Sequence, residues 1–131
     1  MTIVVGYVPT PEGEAALRAA VQESRLRDQP LHLVNSSRGD ALADPRFASE
    51  GALDGVRAVL DAAGVVYEID QQVRGHEAAD EVVEAADRVN ASMIVIGLRR
   101  RSATGKLITG SQAQRILLDA HCPVLAVKAA Y

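Results

Sequence analysis

Apolar positions along this chain follow two alternating rhythms. Thr2-Ile3-Val4-Val5-Gly6-Tyr7-Val8 is a nearly continuous β-branched run, the signature of a strand buried on both faces. Pro9-Thr10-Pro11 ends it, with Thr10 placed to cap a helix whose first residue is Pro11. Ala16, Leu17, Ala20 and Val21 then recur at helical spacing, which predicts a first helix from Pro11 to Arg27, closed by the turn Asp28-Gln29-Pro30. Leu31–Asn35 reads as a second strand. The Ser-, Gly-, Asp- and Pro-bearing stretch Ser36–Pro45 reads as a loop. A second helix is expected over Arg46–Ala63, carried by Ala52, Val56, Val59 and Leu60, with Gly64 as its stop. Val65–Val73 becomes alternating after its start, the pattern of an edge strand with one wetter face. Glu77–Asn90 places Ala79, Val82, Val83, Ala86 and Val89 on one helical face, and acids at its start suit the helix dipole. Met93–Ile96 is the fourth strand, Gly110–Ala120 the fourth helix and Val124–Lys128 the fifth strand, after a bend at His121-Cys122-Pro123.

Strict alternation of strand and helix predicts an α/β fold: one five-stranded parallel sheet with helices on both faces. Ligands of such sheets bind beyond the carboxyl ends of the strands, where the strand order reverses. The segments after the first and fourth strands are the expected walls. The second of these is distinctive. Gly97 ends the fourth strand, a basic stretch follows (Arg99, Arg100, Arg101, Lys106), and Gly110-Ser111 opens a helix. A cationic loop leading into a helix N-terminus, with its unpaired N–H groups, is suited to a phosphate. The competing reading is a solvated connection whose arginines serve solubility.

Composition narrows the classes. At 131 residues, residues 1–131 are expected to form a single domain. No stretch approaches the roughly 20 apolar residues of a membrane span, so no membrane partner is expected, and no N-terminal signal is visible. The single Cys122 has no internal disulfide partner. A cytoplasmic location is the expectation. A net charge of −3 and 3% aromatic content argue against nucleic acid as a partner, which calls for a basic face or stacking platforms. His32, His76 and His121 are scattered, none at metal-ligand spacing with another His or Cys. His32, within a strand, reads as a packed or edge histidine.

Several catalytic patterns fail on spacing. Gly105-Lys106 is not a P-loop: the motif needs Gly where Arg100 stands and Ser or Thr where Leu107 stands. No G-x-G-x-x-G follows the first strand. Cys122, before a proline at the start of a strand, reads as a structural thiol rather than a nucleophile. No carboxylate pair stands out for acid–base work, so no catalytic residue is assigned.

The chain resembles the universal stress protein family along nearly its full length. Nucleotide-binding members carry G-x-x-G after the fourth strand, then nine residues, then G-S or G-T; Gly97, Gly110 and Ser111 match this spacing. The tail from Arg115-Ile116-Leu117 through His121-Cys122-Pro123-Val124-Leu125-Ala126-Val127 is similar to the family's C-terminal pattern, as is Gly6 followed by Pro11-Glu12-Gly13-Glu14-Ala15-Ala16-Leu17. The resemblance implies a Rossmann-like, adenine nucleotide alpha hydrolase-like sheet with strand order 3-2-1-4-5. It implies binding of ATP or AMP, with magnesium, and a cytoplasmic stress-response role. It also implies a homodimer in which Val124–Val127 pairs with its twofold mate, covering an exposed edge.

On that resemblance the nucleotide site comprises Gly97, Arg99, Arg100, Gly110, Ser111 and Gln112 around the phosphates, and Val8, Pro9, Thr10 and Val34 around base and ribose. Ser111 would serve as phosphate ligand, as N-cap of its helix, or as both. Two positions depart from the family. The second Gly of G-x-x-G is Arg100, and the Asp that ends the first strand and contacts adenine is Val8. Arg at a positive-φ position costs about 1–2 kcal/mol, and its side chain would fill phosphate space. A guanidinium–phosphate bond returns about 1.5–3 kcal/mol. Loss of the Asp removes about 1 kcal/mol, a five- to tenfold weaker site. Three functions follow in order: a nucleotide-responsive stress protein; a dimeric interaction or scaffold protein without tight ATP binding; and a slow ATPase or phosphate-transfer enzyme, placed last for want of a general base.

Overall fold

In the computed structural model of the chain, described over residues 1–37, 48–73, 77–98 and 110–129, strand and helix alternate throughout. The elements are β1 (Thr2–Gly6), α1 (Pro11–Arg27), β2 (Leu31–Ser37), α2 (Glu50–Ala63), β3 (Tyr67–Val73), α3 (Ala78–Arg88), β4 (Ala91–Leu98), α4 (Ser111–Asp119) and β5 (Val124–Lys128). Every strand pairing is parallel, and the order across the sheet is β3-β2-β1-β4-β5. The chain starts in the middle of the sheet, winds outward through β2 and β3, then returns to the other side of β1 with β4.

Alternation along the central strands sorts the core into two layers. Ile3, Val5, Leu33 and Val95 pack with Leu17, Leu53, Val56 and Leu60 on one face. Val4, Val34, Ile94 and Ile96 pack with Val82, Ala86 and Ile116 on the other. Ile3, Val4, Val5, Ile94 and Val95 are completely buried, as expected where both faces of a strand are covered by helices.

Local chemistry sets the ends. Thr10 is the N-cap of α1, its Oγ1 accepting from Gly13 N–H at 3.1 Å, with Pro11 at the first position. Gly64, at φ 71°, closes α2. Several predicted boundaries move. β2 runs to Ser37 rather than Asn35 because it pairs with β3 as far as Val73, and β3 starts at Tyr67 rather than Val65. β1 stops at Gly6 rather than Val8: the Asn35 side chain takes the Tyr7 carbonyl at 2.9 Å, and Thr10 N–H donates to the Val8 carbonyl at 2.8 Å, turning the chain out of the ladder. α2 starts at Glu50 because the Ser49 hydroxyl caps it, accepting from Ala52 N–H at 3.1 Å; Arg46 lies outside the described residues. β4 is longer than its apolar run, Ala91–Leu98, since β1 pairs with it from Ala91 and β5 pairs with it as far as Leu98.

Candidate functional site

β1 leads through α1 to β2 on one side, and β4 lies on the other, so the reversal of strand order falls between β1 and β4. A cleft of about 280 Å³ opens there, at the carboxyl ends of the strands. Its floor and sides are Gly6, Val8, Val34, Ile96 and Gly97. The first turn of α1 (Thr10, Glu12, Gly13), Ala78 and Val82 of α3, and Ser111, Gln112, Ala113 and Ile116 of α4 complete the walls. The lining is apolar at depth, with polar groups concentrated at helix starts, the pattern of a small-molecule site.

Gly97 is there because backbone needs the space. A Cβ on Gly97 would lie 2.0 Å from the Glu12 carbonyl oxygen, and one on Gly13 would lie 1.7 Å from the Val8 carbonyl oxygen. These two glycines let the first turn of α1 press against the ends of β1 and β4, which narrows the cleft. Gly110 has φ 82°, a conformation that favours glycine, and it turns the chain into α4. Gly110 is also the N-cap of α4, without a side-chain cap bond. Ser111 is therefore the first helical residue rather than the cap.

Gln112 lines the cleft, but its carboxamide is committed elsewhere: Oε1 accepts from Ala79 N–H at 2.8 Å and Nε2 donates to Glu77 Oε2 at 2.7 Å. Any phosphate contact from this residue falls to its backbone N–H. Val8, Thr10, Val34, Gly97, Gly110, Ser111 and Gln112 are thus brought together. Pro9 is not among the cleft residues. It faces a hollow on the α2 side, with Gly51, Ala52 and Gly55, because the Val8–Thr10 turn swings it away. Arg99, Arg100, Arg101 and Lys106 lie outside the described residues, in the segment that joins Leu98 to Gly110.

Sequence reasoning did not single out Glu12, Ala78, Val82, Ile96, Ala113 and Ile116 for this cleft. Val82 and Ile96 read as core on the strength of their periodicity, and nothing in that pattern separates a core residue from one at the sheet's open end. Glu12 is the acidic residue of the described lining, with its backbone carbonyl against Gly97. On the α2 side, in the hollow that Pro9 faces, the Tyr7 hydroxyl donates to Glu14 Oε1 at 2.5 Å. Burial, then the Glu14 carboxylate, push the Tyr7 phenol well above its usual range, so it stays a neutral donor.

The remaining titratable candidates sit apart. His32 is buried in β2, its ring nitrogens 3.5 Å from Glu68 Oε2 and 3.4 Å from Asp70 Oδ2, a packed histidine as its strand position implied. His121 pairs with Asp87 at 3.0 Å. His76 lies outside the described residues. Burial, with Asp87 nearby, raises the Cys122 thiol, which favours its protonated form. Among the described residues no group of three or more His, Cys, Asp or Glu is placed to hold a metal ion, and no helix is long and apolar enough to cross a membrane.

A parallel sheet of order 3-2-1-4-5 with a glycine-shaped cleft at its switch point defines an α/β domain of the Rossmann-like type. The model of the universal stress protein family matches residues 1–128, and the chain belongs to that family. A universal stress protein of Mycolicibacterium smegmatis is 46% identical over 126 residues, covering 96% of each chain. The solved universal stress protein of Archaeoglobus fulgidus superposes with a TM-score of 0.85 at 37% identity, over 98% of both chains. An Archaeoglobus fulgidus universal stress protein solved in complex with dAMP superposes with a TM-score of 0.76 at 30% identity, again over 98% of both.

Proposed function

We propose that this chain binds an adenine nucleotide in the cleft between β1 and β4 and acts in the cytoplasm as a nucleotide-responsive binding protein rather than as a catalyst. The observation that carries the reading is the cleft itself. It lies at the switch point, is apolar where a base would pack, and is bordered by the first turn of α4, which has no side-chain cap. The relative solved with dAMP shares this fold at 30% identity. Ser111, with its hydroxyl and N–H at the start of α4, holds the phosphate, and Arg99 and Arg100 of the adjoining segment supply its counter-charge. Val8 and Val34 pack against the base. Magnesium, where ATP is the ligand, is held chiefly by phosphate oxygens and water, since Glu12 is the acidic residue of the described cleft lining.

The test is calorimetric titration of nucleotide-free protein with AMP, then with ATP and magnesium. Single-site binding is expected. No heat at millimolar AMP and ATP, with no displacement of a fluorescent adenine nucleotide, would reject the reading. Val8→Asp, which restores a polar partner for adenine, is expected to tighten AMP by about five- to tenfold and to leave inorganic phosphate binding unchanged. Equal tightening of both would mean that position 8 does not face the base.

A second reading rests on β5, which pairs with β4 on one side and ends the sheet on the other, while Leu118 of the preceding α4 is 83% exposed. We infer self-association of two copies through this edge. Ala126 is exposed on β5. Ala126→Lys is expected to convert dimers to folded monomers in sedimentation velocity, and persistence of the dimer at unchanged affinity would place the interface elsewhere.

A further inference from the structure

Three helix N-termini border the same cleft: that of α1 is capped by its own Thr10 side chain, and those of α3 and α4 differ. Ala78 begins α3, and Ser111 begins α4; both line the cavity. An entering anion meets partial positive charge at either one. At α3 the pole is already occupied. Glu77, in the N-cap position, makes no cap bond with its own side chain. The cap comes from α4 instead: Gln112 Oε1 accepts from Ala79 N–H at 2.8 Å, and the same carboxamide donates to Glu77 Oε2 at 2.7 Å. Asp80, which pairs with Arg115 of α4 at 2.5 Å, and Glu81 also stand in the first turn of α3. The first turn of α4 carries no acid, and its cap is a glycine without a side chain.

We infer that Gln112 is a positioning residue that assigns the nucleotide's phosphate to α4 and withholds α3 from it, resting on the nucleotide-binding reading above. Its amide group plugs the α3 terminus from within the protein. The same two hydrogen bonds fix the spacing between the first turns of α3 and α4, so the open pole is held at one distance from the base pocket. A phosphate that drifted toward α3 would have to displace the Gln112 carboxamide and approach the Glu77 carboxylate.

The experiment is an amide-resolved NMR titration of ¹⁵N-labelled full-length chain with AMP, and separately with inorganic phosphate. In the unmodified protein the N–H groups of Ser111, Gln112 and Ala113 are expected to shift, and that of Ala79 to stay still. Gln112→Met keeps the length and bulk of the side chain and removes both bonds. It is expected to weaken AMP by about three- to tenfold and to make the Ala79 amide responsive to AMP. Glu77→Gln keeps an acceptor for Gln112 Nε2 and is expected to bind AMP at least as well as the unmodified chain. A response of Ala79 equal to that of Ser111 in the unmodified protein would overturn the inference, whatever the variants do. So would Gln112→Met binding AMP normally with Ala79 still silent. Absence of both AMP and ATP binding by the unmodified protein would reject the nucleotide reading and this inference together; binding with the wrong amide pattern rejects this inference alone.

Discussion

Gly97→Ala is expected to cost at least about 3 kcal/mol of folding stability. The new Cβ would sit 2.0 Å from the carbonyl oxygen of Glu12 and 2.5 Å from its carbonyl carbon. The obstacle is backbone in the first turn of a helix, so no side-chain rotation relieves it; α1 must retreat from β4 by about 1 Å, giving up dispersion contacts along the way. Native domains are stable by only about 5–15 kcal/mol, so the loss moves the urea midpoint down sharply with the slope unchanged. The retreat also widens the cleft, since Thr10, Glu12 and Gly13 travel with the helix. Gly55→Ala is the control. Gly55 lies inside α2, is exposed, and has nothing within 4 Å of a Cβ. The same chemical change there should add about 0.5–1 kcal/mol. A loss below about 1 kcal/mol for Gly97→Ala would mean that α1 slides freely on the sheet.

The second large effect belongs to a polar residue. Asn35 is completely buried. Its Nδ2 donates to the Tyr7 carbonyl at 2.9 Å, and its Oδ1 accepts from Ala48 N–H at 2.8 Å and from Gln71 Nε2 at 3.1 Å. One side chain thus ties the end of β1, the approach to α2 and the edge strand β3. Asn35→Leu keeps the branching and number of heavy atoms and leaves the Tyr7 carbonyl and the Ala48 N–H without this partner. Each orphaned buried group costs about 1–3 kcal/mol, for a total near 3–5 kcal/mol. In a domain of this length the melting temperature is expected to fall by on the order of 10–20 °C. Asn35→Asp keeps the acceptor for Ala48 but points an oxygen at the Tyr7 carbonyl, and buries charge as well, so it should be no milder. A shift of a degree or two in Asn35→Leu would mean that the three elements are joined by apolar packing alone.

These two positions also explain what the sequence could and could not disclose. The interior of each element was legible because it depends on neighbours in the chain. The β-branched runs gave the two central strands, and Thr10-Pro11 gave the start of α1 to the residue. Strand ends were less legible because distant residues set them. β1 stops where it does through Asn35, twenty-eight positions away. Gly97, Gly110 and Ser111, which the family resemblance singled out, do line the cleft. The contribution of α3 was not legible: Ala78 and Val82 reach the cleft only because β4 places α3 and α4 on one face of the sheet. Pro9 was misplaced for a related reason, since a single hydrogen bond between Thr10 and Val8 decides which side of β1 it faces.

The strand order has a consequence in time as well as in space. β1 is synthesised before the other four strands, and its neighbour β4 pairs with it through Thr2 and Ala91, Ile3 and Met93, Val4 and Ile94. Closing so long a stretch of chain is entropically expensive, and non-local pairings of this kind slow folding. Until residues 91–98 leave the ribosome, β1 can pair only with β2, and its other edge, built from fully buried residues in the native state, stands open. The nascent N-terminal half is therefore an unfinished sheet with a sticky margin at its centre. Its exposure lasts as long as translation takes to reach β4, and the burden of keeping it from aggregating falls on the cell's folding machinery.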